Sequence, residues 1–220
     1  MARGKSATYD DQRDMILERA AQLFAKHGYP STSMNLVAQA CGLSKATLYH
    51  YYRDKYSLLV SIADGHVSRL AAMVEDEQAL ALKGEARLRH LINRIVEEYS
   101  GAQDAHRVLT EDVRFLEPAD RERVLGKERL VVAGFARAVA EMQPGRASEH
   151  LSKPLTMLLF GMVNWMFTWM KPDGELDHAA MGPIVADLFL GGIAVVKSPL
   201  EANLNQPKST FARTGVKQCS

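Results

Sequence analysis

Apolar residues recur at helical spacing along most of the chain, and no long stretch alternates with a period of two. The pattern therefore predicts helices throughout. Serine, aspartate, glycine and proline residues mark where these helices begin and end. The first four predicted helices span residues 10–27, 33–41, 45–52 and 54–82, and five more lie near residues 85–100, 104–116, 119–142, 152–171 and 178–197.

The longest apolar stretch, residues 155–170, is sixteen residues long and is interrupted by Gly161 and Asn164. Spanning a bilayer takes about 20 apolar residues. We therefore interpret this stretch as a helix buried in protein on most of its faces, and we expect no membrane partner. The last 23 residues, from Ser198, have little apolar content and are predicted to form a flexible tail.

The composition is that of an ordinary folded chain, with 47% hydrophobic and 24% charged residues. Because the net charge is only +1, any nucleic-acid surface has to be local. Residues 1–56 hold eight Lys and Arg against five acids, a local net charge of +3. Two cysteines make no disulfide framework, no paired metal-ligand spacing is present, and the N-terminus has no secretory pattern. We expect a cytoplasmic protein without cofactor or metal.

Residues 32–59 carry the most specific pattern in the chain. Two short predicted helices are joined by a three-residue turn that contains Gly42, which is the arrangement of a helix-turn-helix. Leu48 and Tyr52 point back to the core, so the second helix presents a face with hydroxyl donors and no acid. Such a face suits a DNA groove flanked by phosphates, although the same geometry occurs in proteins with no nucleic-acid role. Its outward or lateral residues are Lys45, Ala46, Thr47, Tyr49, His50 and Tyr51.

The residue string in this segment resembles the DNA-binding motif of the tetracycline-repressor (TetR) family of transcriptional regulators. The matching elements are Thr32-Ser33, Val37-Ala38, Cys41-Gly42-Leu43-Ser44, Ala46-Thr47-Leu48-Tyr49, Tyr51-Tyr52 and Lys55-Tyr56-Ser57-Leu58-Leu59. Two departures stand out. Ala46 replaces the usual glycine, and Tyr56 replaces an acid, which removes a minor favourable charge at a helix N-terminus.

The resemblance implies an all-α fold with two units and a tail. Residues 9–56 would form a three-helix DNA-binding domain with the helix-turn-helix, and residues 57–197 a helical effector-binding and dimerisation domain, followed by the tail at 198–220. It also implies a DNA-binding transcriptional regulator, with repression as the expected output. The partner would be double-stranded operator DNA.

The resemblance assigns roles to individual positions of the motif. Positions expected to hold phosphates are Thr32, Ser33, Ser44, Tyr49, Tyr51 and Lys55, and those expected near base edges are Lys45, Ala46, Thr47 and His50. Lys55 has an independent rationale, because its ammonium and the free N–H groups of a helix N-terminus can meet the same phosphate. The alternatives are core packing for the two tyrosines and a solvated surface position for His50.

The last two predicted helices are apolar enough to form a four-helix interface between two subunits, which resembles how this family dimerises. A homodimer would supply the two half-sites that specific recognition needs. The predicted interface residues are Leu155, Leu158, Leu159, Ile184, Leu188 and Gly191. A monomeric core is the alternative.

A small hydrophobic effector is predicted to bind beside Trp165 and Trp169, with Met162 and Phe115 nearby, because aromatic and Met side chains suit an apolar ligand. Core packing explains the same residues nearly as well. The segment around Trp165 is loosely similar to TetR-family regulators that respond to acyl-CoA thioesters. An acyl-CoA is thus the expected effector, and a free aromatic or fatty acid or another lipophilic compound is the alternative.

An enzyme is the rival class of protein. The seven histidines show no His-Glu-x-x-His spacing, and neither a phosphate-cradling glycine loop nor a Gly-x-Ser-x-Gly turn is present. A protein-interaction module, the other rival, needs no basic recognition face. We therefore expect a regulator and not an enzyme.

Overall fold

The computed structural model describes residues 3–142, 146–170 and 175–196. These ranges contain nine α-helices and no strand, as the sequence predicts. The predicted tail lies outside the described residues. The helices are α1 (Arg3–His27), α2 (Met34–Ala40), α3 (Lys45–Tyr51), α4 (Lys55–Ala79), α5 (Gly84–Gly101), α6 (Gln103–Asp112), α7 (Pro118–Met142), α8 (Arg146–Trp169) and α9 (His178–Ile193).

Side-chain caps fix the start of the three helices that follow α1. Ser33, Ser44 and Asp54 have extended backbones, and each side chain accepts a hydrogen bond from the N–H three residues later. Asp54 also forms a capping box, because the Ser57 hydroxyl accepts from the Asp54 N–H. Polar residues at these positions thus set where α2, α3 and α4 begin.

Two hydrophobic cores hold the fold together. One is formed by α1, α2, α3 and the first half of α4, with residues of α6 and α7 closing it. The second core is formed by the second half of α4 together with α5, α7, α8 and α9. The predicted domain division at residue 56 coincides with the start of α4, whereas the cores change between Val67 and Leu70, inside that helix.

Helix α4 therefore belongs to both cores. Within the described ranges it alone is long and apolar enough to cross a membrane by length and composition. Half of the apolar segment of α4 is buried among the other helices, as in the core helix of a folded protein. Leu58, Leu59 and Ala63 have no exposed surface on one side of the division, and Leu70 and Val74 are buried on the other.

Several helix boundaries differ from the predicted ones: α8 begins at Arg146 instead of residue 152, and α9 ends at Ile193 instead of residue 197. α1 begins at Arg3, about seven residues before the predicted start, because residues 3–9 contain no apolar repeat to reveal a helix. The helix predicted over residues 104–116 ends at Asp112, and a 3-10 turn at Val113–Phe115 follows it. This short turn leads the chain to Pro118, the first residue of α7.

Candidate nucleic-acid interface and effector cavity

The turn between α2 and α3 is closed by the backbone at Gly42. This residue has a φ of +65°, and the Leu43 N–H donates to the Ala38 carbonyl at 2.9 Å. Glycine suits a left-handed position at a helix end because it has no Cβ to clash. With Leu48 fully buried beneath it, α3 is held with its opposite side facing outwards.

The outward side of α3 carries most of the predicted DNA contacts. Lys45, Ala46, Tyr49 and His50 are exposed, and Thr47 is half-buried. The Lys45 ammonium lies 5.8 Å from the centroid of the Tyr49 ring. Exposed donors and one cation on a narrow helix face are the groups that reach base edges and phosphates.

Tyr51 is fixed by two residues of α1 that the sequence pattern did not single out. Its ring stacks on Tyr9 with centroids 4.6 Å apart, and its hydroxyl donates to Gln12 Oε1 at 2.7 Å. Tyr9 also meets the His50 ring edge-on at 6.4 Å. The early start of α1 therefore brings an exposed aromatic residue to the edge of the recognition helix.

The helix-turn-helix positions differ in how freely they can meet a phosphate. Ser33 and Ser44 are exposed, but each hydroxyl oxygen accepts a backbone N–H, from Leu36 and Thr47 respectively. Thr32 departs from expectation: its side chain is buried, and its hydroxyl donates towards the Leu23 and Gly28 carbonyls at 3.3 and 3.0 Å. This hydroxyl fastens the end of α1 inside the fold and does not face solvent.

Lys55 also makes internal contacts. Its ammonium donates to the Tyr29 and Pro30 carbonyls at 2.8 and 3.0 Å, and it lies 4.5 Å from the centroid of the Tyr29 ring. An ammonium has three N–H donors, so one remains after these two bonds. Lys55 thus ties the loop after α1 to the start of α4 while staying half-buried at the surface.

A polar joint connects the start of α4 to the start of α7. The Tyr56 hydroxyl donates to Asp120 Oδ2 at 2.6 Å and accepts the Glu117 N–H at 2.9 Å. Burial and the hydrogen bond to Asp120 raise the Tyr56 pKa. The replacement of the usual acid by tyrosine, which looked like a small loss, therefore makes a contact between the two units.

A second contact along the same pair of helices involves Asp64 of α4. Its carboxylate accepts from Lys127 Nζ at 2.7 Å and from Arg123 Nε at 3.2 Å. Although burial opposes ionisation, these two cations lower the pKa of Asp64. We call the contacts of Tyr56 and Asp64 with α7 the α4–α7 joint.

A cavity of about 280 Å³ lies between α4, α5, α6, α7 and α8. Most of its wall is aliphatic or aromatic, and its polar side chains come from α5, α6, α7 and α8. Such a mixture of apolar wall and few polar groups is typical of small-molecule sites. Its lining residues are Val67, Leu70, Tyr99, His106, Leu109, Thr110, Val113, Glu128, Val131, Val132, Met157, Phe160 and Asn164.

The polar groups on one side of the cavity form a chain. The Tyr99 hydroxyl donates to Asn164 Oδ1 at 2.9 Å, and the Tyr99 ring stacks on His106 with centroids 3.7 Å apart. His106 Nδ1 lies 3.3 Å from Nε2 of His66, which is buried behind it. Burial lowers the pKa of His106 to about 4, and burial with the charge of His106 lowers that of His66 to about 3. Both imidazoles are therefore neutral at pH 7.

Glu128 supplies the acid in the wall of the cavity. Burial raises its pKa, and the charge of Arg129 only partly opposes this. The neighbouring cations are engaged elsewhere, because Arg129 pairs with Glu122 and Lys127 with Asp64. Among the described residues no group of three or more His, Cys, Asp or Glu side chains is arranged to hold a metal ion.

The four residues predicted to bind an effector do not line this cavity. Trp165 and Trp169 are 66% and 54% exposed on the outer face of α8. Met162 is half-buried against the second core, and the Phe115 ring lies 5.5 Å from that of Tyr29. The predicted effector residues on α8 therefore face a different side of that helix from this cavity, because α8 is apolar on several faces and its periodicity does not separate inner from outer residues.

The predicted dimer residues separate into two groups. Leu155 and Leu159 are buried in the protomer's own second core, which corrects their assignment to an interface. Leu158, Ile184, Leu188 and Gly191 are exposed. They share the outer side of α8 and α9 with the two tryptophans, and we call these six residues the outer apolar face. Leu158, Trp165 and Leu188 are each at least 64% exposed.

Comparisons with known proteins identify the class to which this architecture belongs. Residues 16–62 match the family model described as bacterial regulatory proteins, tetR family, and residues 81–193 match that of the tetracyclin repressor-like C-terminal domain. The chain belongs to the TetR family of DNA-binding transcriptional regulators, whose members are dimeric. The relatives found are regulators and not enzymes.

Among similar proteins is the transcriptional repressor KstR of Mycobacterium tuberculosis, 25% identical over 161 residues, or 71% of either chain. A TetR-family regulator from Bordetella parapertussis is 33% identical, with a TM-score of 0.77 over 84% of this chain and 97% of that one. AibR, solved with isovaleryl coenzyme A and operator DNA, shares the fold at 24% identity, with a TM-score of 0.67 over 82% and 97% of the two chains.

The buried histidine pair predicts a loss of stability in mild acid. Both histidines have a pKa in the folded protein below the usual imidazole value of 6.5, so the unfolded chain binds more protons. Their contribution is fully present above pH 6.5 and is lost as the pH falls towards 4. Protonation of each histidine lowers the free energy of unfolding by up to about 1.4 kcal/mol per pH unit in this window. Thermal unfolding at pH 7.0, 6.0 and 5.0 measures the effect.

The control is the double variant His66→Leu, His106→Phe, which replaces both partners by apolar groups and removes their titration. Its melting temperature should fall less between pH 7 and 5 than that of the natural protein. Asp104, Asp112 and Glu128, whose pKa values are raised by burial, oppose the loss at the acid end of the window. Equal pH profiles for the two proteins would show that the pair does not titrate as described.

Proposed function

We propose that this protein is a ligand-responsive repressor that binds operator DNA as a homodimer and is released by a small hydrophobic effector. The observation that carries the proposal is the exposed outer side of α3, with Lys45, Tyr49 and His50 held above a buried Leu48. It is a short helix with donors and no acid, as a major-groove reader requires. KstR, a relative, is a repressor. The site of action would be the cytoplasm, without a cofactor or a membrane.

Within this surface the predicted roles differ. We assign Lys45, Ala46, Thr47 and His50 to base edges, and Ser33, Ser44, Tyr49, Tyr51 and Lys55 to phosphates. Thr32 is better regarded as a support for the turn, because its hydroxyl is already engaged inside the fold. Lys55 has one N–H left for a phosphate, so its part in binding is combined with its part in holding the loop.

A pair of variants on α3 tests DNA binding and separates the two kinds of contact. Tyr49→Phe removes an exposed hydroxyl assigned to a phosphate, so it should weaken all sequences about equally, by roughly 0.5–1.5 kcal/mol. Thr47→Ala should instead relax the preference at one base position, at a cost of roughly 1–3 kcal/mol for the preferred base. Selection from a random library, followed by titration of the consensus, measures both.

The contrast between the two variants makes the test specific. The consensus of Tyr49→Phe should equal that of the natural protein, and affinity should fall steeply with salt in every case. If neither the natural protein nor the variants select a consensus, the proposal of operator binding is wrong. If Thr47→Ala returns the full natural consensus, Thr47 does not read a base.

The outer apolar face is the surface that we assign to the dimer. Leu158, Ile184 and Leu188 project from two adjacent helices, and Gly191 lets another helix approach closely because it has no side chain. Contiguous exposed apolar surface of this kind marks an interaction site more often than a solvated face. Two copies of α8 and α9 would form a four-helix interface, and its two-fold axis would set the spacing of the two α3 helices.

Leu188→Glu tests the dimer, because it places a charge in the interface without a partner. We expect light scattering to give the mass of one 24.4 kDa chain for this variant and twice that mass for the natural protein at micromolar concentration. Leu130→Glu is the matched control, since Leu130 is 57% exposed on α7, outside the outer apolar face. A dimer that survives Leu188→Glu, or a natural protein that is monomeric, would contradict the assignment.

The cavity between α4 and α8 is the site that we assign to the effector. Its apolar wall suits an acyl or aromatic group, and AibR, which shares the fold, was solved with an acyl-CoA. An acyl-CoA thioester is therefore the first candidate, and a free acid or another lipophilic compound is the second. Glu128, Val131 and Val132 of the wall lie on α7, whose first residues contact Tyr56. An occupant that moves α7 would act on the start of α4, next to α3, through the α4–α7 joint.

A further inference from the structure

The cavity wall carries an acid and no basic side chain of fixed charge. Of its thirteen lining residues, Glu128 is the one carboxylate, and neither Lys nor Arg is present. His106 adds no positive charge at pH 7, because its pKa is lowered to about 4 by burial. A carboxylate of a ligand that entered this space would therefore meet a like charge in a poorly solvated site, and nothing in the lining would neutralise it.

Glu128 also offers the strongest hydrogen-bond acceptor of the wall, because a carboxylate is charged. The Tyr99 hydroxyl donates to Asn164, and the Thr110 hydroxyl donates to the His106 carbonyl at 2.9 Å. Within the part of the chain that the structure describes, no hydrogen bond or ion pair engages the Glu128 carboxylate. A partly buried carboxylate without a donor is destabilised, and a ligand N–H or O–H would relieve it.

We propose that Glu128 selects an effector that carries a hydrogen-bond donor. The group that enters the cavity is apolar, carries an N–H or O–H, and is not a free carboxylate. The inference rests on the proposed function, because it assumes that the cavity is the effector site. It bears on the two candidate classes of effector. An uncharged acyl group with a hydroxyl, or a lipophilic amine or alcohol, fits the wall, whereas a free fatty or aromatic acid does not.

Three probes of nearly equal size and different polar group test the proposal: 2-phenylethylamine, 2-phenylethanol and phenylacetate. Calorimetric titration of the full-length protein at pH 7.5 should give the order amine, then alcohol, then acid. We expect the amine to bind at least about tenfold more tightly than the acid, since one is attracted by the carboxylate and the other repelled.

Glu128→Gln keeps the size and an acceptor oxygen but removes the charge. In this variant the amine should lose affinity and the acid gain it, so that the ratio falls to about threefold or less, while the alcohol changes little. Glu75→Gln is the control. Glu75 is an exposed acid on α4 that does not line the cavity, and its loss should leave the ratio unchanged.

The outcomes separate this proposal from the proposed function. If phenylacetate binds the natural protein as tightly as the amine, or if Glu128→Gln leaves their ratio unchanged, the role of Glu128 is wrong and the cavity can still be the effector site. Val132→Phe, which fills the cavity, tests the site itself. Equal binding of the probes by this variant, or no binding of any probe by the natural protein, would overturn the cavity assignment and the inference with it.

Discussion

The fold depends on one continuous helix that is buried in two cores. The first half of α4 completes the core under the helix-turn-helix, and its second half belongs to the core of the C-terminal unit. The helix is held at its start by the Asp54 capping box and along its length by fully buried residues such as Leu59 and Ala63. Because packed helices shift as rigid bodies between discrete arrangements, a displacement of one end of α4 is transmitted to the other.

The cavity and the recognition helix α3 lie at different points along α4. α7 contributes Glu128, Val131 and Val132 to the cavity wall, and its N-terminal residues contact Tyr56 at the start of α4. The neighbouring residue, Lys55, holds the loop after α1 through its bond to the Tyr29 carbonyl. An occupant of the cavity changes operator affinity only if it binds the two arrangements of α7 and α4 unequally. The α4–α7 joint supplies the physical contact through which that preference would reach α3.

The N-terminal unit was largely predictable because its signals are local. Each cap or turn residue acts within four residues of its own position, so the sequence alone shows where the adjoining helix begins or ends. These residues are Ser33, Ser44, Asp54 and Gly42. The faces of α8 were not predictable in this way. It is apolar on nearly every side, so periodicity alone did not separate Leu159, which is in the core, from Leu158, which is exposed. The cavity was missed for the same reason: Tyr99, His106 and Glu128 come from three helices, and only the tertiary packing brings them together.

The operator affinity of Val132→Phe, measured without any ligand, tests most directly whether the cavity is coupled to DNA binding. The larger side chain occupies the cavity from within, as an effector would. The account predicts that this variant remains a folded dimer and binds the operator about fivefold more weakly or worse, in line with a coupling free energy of roughly 1–3 kcal/mol. A folded Val132→Phe dimer with the operator affinity of the natural protein would contradict it.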